Sequence, residues 1–454
     1  EKQRTGFGFA RLFAAAGKKK APAAVESPQQ REQRAMSDWE EQAKSSTERL
    51  LSAVYRELAR VARAIVVKHG RLVGDKALLT TLATGLVCNS YGSEMIGVAI
   101  APIVTRAAAQ EGFPVLRAQP EPIVINVKGA SASGKSTMRP LQQKHASKLG
   151  INWHDFALIS PDIWRKFLLD YDTLGPASKY AGTLVGDEIP IVDQKLDRYI
   201  AQKAEQGRIS HLLIDRFRFD SFAPGKDSEE GSNLLTRFGH TVYLLFMVTP
   251  PEATVERAWL RGLQVGRFKA VDDLLDHNVE AFKGIPALFF TWALRKDKIV
   301  HYEFLDNSVV HGNTPRTIAF GLNGEMFILD FKCMLDIVRY TKINIHATQP
   351  AEVYPAAETM DSASNTGFLV KCASKIPRIN FVDRSSAQIY ACMESGNMSW
   401  VDPDMIERIL DDEAARAAFH AMLPNFSEKL ATIKHAPAIA LSDEARLHII
   451  GCLD

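Results

Sequence analysis

One short motif constrains the fold of this chain more than any other feature. Its residues fit the pattern G-x-x-x-x-G-K-[ST] and are Gly129, Ala130, Ser131, Ala132, Ser133, Gly134, Lys135, Ser136 and Thr137. The motif follows an apolar run and precedes a stretch with helical spacing, which is the context that a phosphate-binding loop requires. Small residues let backbone N–H groups surround an anion, and the following helix adds partial positive charge. The sequence therefore predicts an ATP site, with Lys135 at the β- and γ-phosphates and the Ser136 hydroxyl on Mg²⁺.

Short apolar runs alternate with helical stretches beyond Pro120. The strand candidates are residues 123–127, 157–159, 211–214, 241–248 and 299–304. The first, third and fourth runs are almost continuously apolar, as expected of strands that are buried on both faces of a parallel sheet. We therefore predict an α/β fold of the P-loop NTPase type, with a kinase-like parallel sheet flanked by helices.

The composition changes on both sides of this region and divides the chain into four predicted parts. From Ala21 to about Ser46 the composition turns to Ala, Pro, Glu, Gln and Ser, and residues 1–45 are expected to form a flexible leader, either a secretion signal, an organelle address or a linker. Residues 46–118 form a helical region, which either packs on the next domain or binds a partner. Residues 119–310 form the kinase-like core. Residues 311–454 form an α+β extension with hairpins at Asn323-Gly324 and Gly396-Asn397 and helices at 334–340, 404–422 and 442–452.

Charge and cysteine content exclude some classes of partner. The net charge is +2, from 55 basic and 53 acidic residues, so no overall attraction to nucleic acid is expected. The five cysteines form no C-x-x-C pair, which favours a reducing compartment over a zinc site or a disulfide framework. The apolar stretch 95–101 is far shorter than the roughly 20 residues that a bilayer requires. We therefore predict no transmembrane helix and no stable membrane insertion.

The acceptor side of the predicted site begins at Asp162. This residue follows the second strand candidate, so it is expected at the carboxyl edge of the sheet, near the phosphates. A carboxylate there can accept the proton of an attacking hydroxyl, although an Asp at this point is also a favoured helix N-cap. Arg165 lies one helical turn further on and is either a substrate ligand or a surface charge.

The end of the third strand candidate supplies two more residues. Asp215 could orient Mg²⁺ through water, and Arg216 could bind substrate. An ordinary salt bridge at the end of a strand is the alternative for both residues. An Asp-Arg pair here differs from the acidic pair that motor and transporter ATPases usually carry, and no Asn-Lys-x-Asp segment of a GTPase occurs.

A predicted lid segment, residues 249–267, follows the fourth strand candidate. It carries Arg257, Arg261 and Arg267, with Gly262 and Gly266 between them. Guanidinium groups match phosphoryl oxygens and stabilise the charge that develops during transfer, and glycines permit movement. Arg257 could instead cover the sheet, so Arg261 and Arg267 are the preferred catalytic arginines.

Over residues 122–308 these motifs resemble the zeta-toxin family of kinases. The matching segments are the phosphate loop, Asp162-Ile-Trp-Arg165, Val255-Glu256-Arg257 through Gly266-Arg267-Phe268, His277, and Leu305-Asp306-Asn307-Ser308. The resemblance implies that Asp162 is the catalytic base and that Lys135, Ser136 and Thr137 hold ATP and Mg²⁺. Zeta toxins proper phosphorylate UDP-N-acetylglucosamine.

The regions around the core resemble, more narrowly, a plant-pathogen type III effector branch of this family. That branch phosphorylates the adenosine-ribose 3′-hydroxyl of NAD. The resemblance implies synthesis in a bacterial cytoplasm, secretion into a host cell and a small antitoxin or chaperone partner. No G-x-G-x-x-G follows a strand, so NAD would bind as the acceptor rather than in a dinucleotide fold. A third interpretation is a P-loop ATPase switch that controls a protein partner through residues 46–110.

Overall fold

The computed structural model describes residues 26–215, 239–266, 268–310, 312–424 and 426–453, and at Asp162 it describes the backbone alone. The chain divides after Pro114 into two compact units. This division falls four residues before the predicted start of the kinase-like core at residue 119.

The N-terminal unit consists of helices. They are α1 (Pro28–Ser45), α2 (Arg49–His69), α3 (Lys76–Val87) and α4 (Ser93–Gln110), with a π-helical turn at Cys88–Gly92 between the last two. Helix α1 lies within the segment that the sequence predicted as a flexible leader, so that prediction is wrong for residues 28–45. The reason is local: Ser27 and Gln30 form a capping box, and Met36 is buried. A capping box satisfies backbone donors that would otherwise lose hydrogen bonds at the helix start.

The π-helical turn joins α3 and α4 into one helix, Lys76–Gln110. Among the described residues, this helix alone is long and apolar enough to cross a membrane, judged by length and composition only. The prediction of no transmembrane helix stays a prediction. It considered the uninterrupted apolar run 95–101, whereas small and hydroxyl-bearing residues extend the helix well beyond that run.

Within the residues that the structure describes, the C-terminal unit is built on one sheet of twelve strands. They are β1 (Ile123–Lys128), β2 (Phe156–Ile159), β3 (His211–Ile214), β4 (Thr241–Val248), β5 (Ile299–Asp306), β6 (Arg316–Leu322), β7 (Glu325–Ile328), β8 (Arg378–Asp383), β9 (Gln388–Glu394), β10 (Asn397–Val401), β11 (Lys434–His435) and β12 (Ile439–Ala440). Strands 2-3-1-4-5 pair in parallel in that order, and β6 joins β5 in antiparallel orientation. The predicted α/β fold with a parallel P-loop sheet is confirmed. The predicted extension beyond residue 310 continues this same sheet.

Helices lie against both faces of the sheet. They are α5 (Arg139–Lys148), α6 (Pro161–Leu168), α7 (Ala181–Leu184), α8 (Glu188–Glu205), α9 (Pro251–Val265), α10 (Val271–Ala293), α11 (Phe331–Arg339), α12 (Ala357–Met360), α13 (Gly367–Lys375), α14 (Pro403–Ile409), α15 (Glu413–Met422), α16 (Phe426–Leu430) and α17 (Asp443–Leu447). The larger core includes Phe282 and Phe289 of α10 packed with Phe246 and Phe304 of the sheet. Burial of such aromatic side chains contributes about 1.5–3 kcal/mol each.

The last residues of the chain run along the sheet instead of continuing a helix, so the predicted helix 442–452 is too long. The buried carboxylate of Glu303 accepts hydrogen bonds from the N–H groups of Ile450 (2.9 Å) and Gly451 (3.0 Å). Its burial raises the pKa of Glu303 to about 7. Because a buried carboxylate needs hydrogen-bond donors, Glu303 holds residues 450 and 451 in an extended conformation.

A cluster of rings connects α5, which follows the phosphate loop, to this terminal segment. His301 stacks on both Tyr243 and His448, and His145 and Tyr243 pack edge to face. The pKa of His145 is lowered to about 4 and that of His301 to about 3, chiefly by burial, with the nearby His448 contributing to both shifts. The folded protein therefore holds both rings neutral under ordinary conditions.

Replacing His301 with phenylalanine is expected to reduce the acid sensitivity of folding. In the unfolded chain a histidine protonates near pH 6.5, so the stability associated with a neutral buried ring is lost as pH falls below that value, by about 1.4 kcal/mol per pH unit for each ring. Phenylalanine keeps the stacked ring and removes the titration. Urea unfolding of both proteins at pH 7 and pH 5 measures the difference. Glu303 acts with the opposite sign in both proteins, and equal losses on acidification would contradict the prediction.

Candidate phosphate-binding site

The predicted phosphate loop lies between the central parallel strand β1 and α5. A 3₁₀ turn, Lys135–Met138, leads into the helix. Ala132 (φ 59°) and Gly134 (φ 97°) have left-handed backbone conformations. A Cβ at Gly129 would lie 2.7 Å from Ser133 Oγ, which is too close for any side chain. The loop therefore requires glycine at its first position and favours it at its sixth.

The ends of two neighbouring strands hold the loop in place. The carbonyl of Ser133 accepts hydrogen bonds from Asn307 Nδ2 (2.7 Å) and Thr249 Oγ1 (3.0 Å). Thr249 directly follows β4, and Asn307 directly follows β5. Arg257 in turn donates to the Asn307 carbonyl (2.7 Å). Arg257 thus supports the loop after β5, in line with the structural alternative that the sequence left open for it.

Lys135 folds over the loop. Its ammonium group donates to the carbonyls of Gly129 (2.9 Å) and Ala130 (2.7 Å). The cation therefore lies at the first half of the loop, where a terminal phosphate can replace the carbonyl oxygens as its acceptor.

Ser136 and Asp215 form the second part of the site. Strand β3 is the direct neighbour of β1, with Ile214 in register with Asn126. This register brings the Asp215 carboxylate to 3.3 Å from the Ser136 hydroxyl. A hydroxyl and a carboxylate oxygen beside a phosphate loop fit the oxygen ligands that Mg²⁺ prefers, with nucleotide phosphates and water completing the coordination. Arg139 also lies 3.6 Å from Asp215, so the predicted salt bridge at this strand end is present as well.

Replacing Asp215 with asparagine is expected to raise the Mg²⁺ concentration needed for half-maximal nucleotide turnover by about tenfold, because a neutral amide binds the cation less strongly than a carboxylate. Titration of Mg²⁺ at fixed ATP measures this value. Arg139→Gln removes the ion-pair partner and keeps the carboxylate, so it serves as the matched control. An unchanged Mg²⁺ requirement in Asp215→Asn would exclude a metal role for Asp215.

The backbone places Asp162 at the predicted edge of the sheet. Helix α6 begins directly after β2, and the N–H of Asp215 donates to the carbonyl of Ile159 (2.9 Å), which joins the ends of β2 and β3. Ser160 occupies the N-cap position, so the alternative that Asp162 is the helix N-cap is wrong. The side chain of Asp162 lies outside the described residues. Arg165 is half-buried on the same helix.

The predicted lid segment forms helix α9. Arg261 is half-buried on this helix, while Arg267 and Arg216 lie outside the described residues. Gly262 faces the ring of Phe268, where a Cβ would lie within 2.9 Å of the ring carbon Cγ. Gly266 ends the helix with φ 71°. Both glycines are thus required by packing and by helix termination in this conformation.

Sequence reasoning missed one cluster at the loop. His277 Nδ1 lies 2.7 Å from Ser131 Oγ and 2.7 Å from Lys269 Nζ, and Lys269 Nζ lies 3.4 Å from Ser131 Oγ. The pKa of His277 is lowered to about 4, chiefly by burial and then by the nearby charge of Lys269. His277 was noted only as part of the resemblance. The sequence signal that could have indicated this cluster is a further cation, Lys269, two residues after the predicted lid arginine Arg267.

The central strand, its phosphate loop and the adjacent hydroxyl–carboxylate pair define a fold of the P-loop NTPase type. No family model and no curated protein matches the chain. Among solved structures it is similar to a candidate kinase from Chloroflexus aurantiacus J-10-fl, with 27% identity, 32% of this chain and 69% of that chain covered, and a TM-score of 0.22. It is also similar to a chain from the PezAT chromosomal toxin–antitoxin system of Streptococcus pneumoniae, with 17% identity, 46% and 76% covered, and a TM-score of 0.28.

Proposed function

We propose that this protein is an ATP-dependent kinase that transfers the γ-phosphoryl group to a ribose hydroxyl of a small molecule. The observation that carries the proposal is the arrangement of Lys135, Ser136 and Asp215 around one phosphate loop. Lys135 would neutralise charge on the β- and γ-phosphates, and Ser136 and Asp215 would hold Mg²⁺, which would supply further positive charge beside these phosphates. Positioning and charge stabilisation of this kind account for most of the catalysis in phosphoryl transfer.

The acceptor hydroxyl would enter beside α6. Asp162 is the second residue of this helix, which follows β2, the neighbour of β3, and it is the proposed base for the acceptor hydroxyl. The acceptor oxygen bonds to the γ-phosphorus, ADP leaves with the electrons of the broken P–O bond, and Asp162 takes the hydroxyl proton. Arg261 and Arg267 are the proposed lid arginines that stabilise the transferring group.

The proposed acceptor is NAD, phosphorylated on its adenosine 3′-hydroxyl. Support for it comes from the arrangement of the regions around the core, with a helical region before it and a long extension after it, which resembles the effector branch of zeta-toxin-like kinases. The same resemblance supports a role as a bacterial effector or toxin that is secreted into a host cell and neutralised by a small partner protein. UDP-N-acetylglucosamine is the second candidate acceptor, because the core motifs resemble zeta toxins proper equally well.

The test is to incubate the full chain with γ-labelled ATP, Mg²⁺ and either NAD or UDP-N-acetylglucosamine, and to identify the labelled compound by mass. Label on NAD at the 3′-position is the expected result. Label on the nucleotide sugar would replace the NAD proposal with the second candidate. Release of free phosphate with neither compound labelled would favour the ATPase switch and overturn the kinase proposal.

A further inference from the structure

We propose that Lys269 is a second phosphate-binding cation, which rests on His277 and Ser131 in the nucleotide-free protein and binds the γ-phosphate when ATP enters. This inference rests on the proposed function for its biological meaning. Its physical basis is a separate set of contacts, so it can be tested by nucleotide binding alone.

The first argument is the composition of the cluster. Lys269 precedes α10, His277 lies on α10, and Ser131 belongs to the phosphate loop. The three side chains meet within 2.7–3.4 Å, although Ser131 is separated from Lys269 by 138 positions. The ammonium group of Lys269 is thus held against the phosphate loop by contacts that include a serine hydroxyl and a neutral imidazole. A phosphate oxygen is a stronger acceptor than either of them.

The second argument locates the cluster at the terminal-phosphate end of the loop. The Lys135 ammonium contacts the carbonyls of Gly129 and Ala130, the two residues that precede Ser131. In this loop type the lysine serves the β- and γ-phosphates. Lys135 is also close enough to His277 to lower its pKa. Both ammonium groups therefore contact residues 129–131 of the loop, which is where the γ-phosphate of ATP would add charge that ADP lacks.

The third argument concerns His277, which acts as a positioning residue. The half-buried ring of His277 remains neutral beside the Lys269 ammonium, so its Nδ1 accepts a hydrogen bond from Lys269 instead of repelling it. His277 thereby fixes the ammonium beside the loop before nucleotide arrives. Preorganised charge of this kind needs little rearrangement on binding.

The experiment compares the binding of the non-hydrolysable ATP analogue AMP-PNP with that of ADP, both with Mg²⁺, by calorimetry on the full chain. Lys269→Gln is expected to raise the Kd of AMP-PNP about tenfold or more, the effect of losing one charge-assisted hydrogen bond, and to change the Kd of ADP less than about threefold. Lys269→Arg keeps the positive charge and is expected to retain most of the preference for AMP-PNP. Lys283→Gln removes an exposed lysine from the same α10 helix and is the matched control.

A second variant tests the positioning role. His277→Asn is expected to weaken AMP-PNP binding less than Lys269→Gln, and the double variant is expected to bind no more weakly than Lys269→Gln alone, because His277 acts through Lys269. Additive losses in the double variant would overturn this role for His277.

The outcomes separate this inference from the proposed kinase activity. An AMP-PNP affinity in Lys269→Gln within twofold of the original protein would overturn the inference, and so would equal losses for AMP-PNP and ADP with an unchanged thermal midpoint. A selective loss for AMP-PNP supports the inference even if no acceptor is ever phosphorylated. In that case the kinase proposal alone would fail.

Discussion

Replacing Lys135 with methionine is expected to reduce phosphoryl transfer at least about 100-fold, the scale of effect seen when one preorganised charge donor is removed from a transition state. The ammonium of Lys135 lies 2.7 Å from the carbonyl of Ala130, at the mouth of the phosphate loop. Methionine has a similar length and no charge, so the change removes the cation without emptying its space. Turnover of γ-labelled ATP at saturating Mg²⁺ measures the effect.

The control for this prediction is Lys144→Met. Lys144 is exposed on α5, the helix that follows the phosphate loop. The substitution therefore removes one positive charge close to the loop but outside it. Transfer by Lys144→Met is expected to remain within about twofold of the original protein, as for most surface substitutions. If Lys135→Met kept its activity, the assignment of residues 129–137 as the phosphate site would be wrong.

The sequence was sufficient to predict the parallel half of the sheet. Strands β3 and β4 begin and end at the residues that the apolar runs indicated, and β1, β2 and β5 differ from their predicted bounds by one or two residues. Strands buried on both faces need continuous apolar runs, and such runs are read locally. The phosphate loop was also predictable from local sequence. Its nine consecutive residues have the types that the backbone conformation and the charge of a bound phosphate require.

Contacts between distant segments could not be predicted in this way. The bond from Asn307 to the Ser133 carbonyl joins residues 174 positions apart, and that between Ser131 and His277 spans 146. The sequence around Asn307 or His277 contains no local pattern that indicates a contact with the phosphate loop. The continuation of the sheet beyond residue 310 was missed likewise, because the hairpin at Asn323-Gly324 could be read locally, but its pairing with β5 could not.

The extended terminal segment illustrates the same limit. Residues 442–452 have helical spacing, yet the helix ends at Leu447 because Glu303, buried in the sheet, requires the N–H groups of Ile450 and Gly451. The need of one buried carboxylate outweighed the local helical preference, since leaving such a group without donors costs about 1–3 kcal/mol or more. The catalytic roles of Asp162, Arg216 and Arg267 stay predictions from the sequence.

The replacement Asp162→Asn distinguishes a kinase from an ATPase switch most directly. If Asp162 is the base for the acceptor hydroxyl, the variant is expected to lose transfer by about 100-fold or more while its affinity for ATP stays unchanged, because general-base catalysis contributes on that scale. The amide is nearly the same size as the carboxyl group and cannot accept the proton. Transfer of label to the acceptor and binding of AMP-PNP are measured on the same preparation.

The matched control for this variant is Asp172→Asn, which neutralises an exposed carboxylate shortly after α6. It is expected to transfer phosphate at the original rate. In an ATPase switch the attacking group is water and ATP is hydrolysed without an acceptor, so Asp162→Asn would leave phosphate release nearly unchanged. A kinase in which Asp162 only shapes the start of α6 would instead lose thermal stability and transfer together. Loss of transfer with unchanged nucleotide affinity and unchanged thermal midpoint therefore identifies Asp162 as the base.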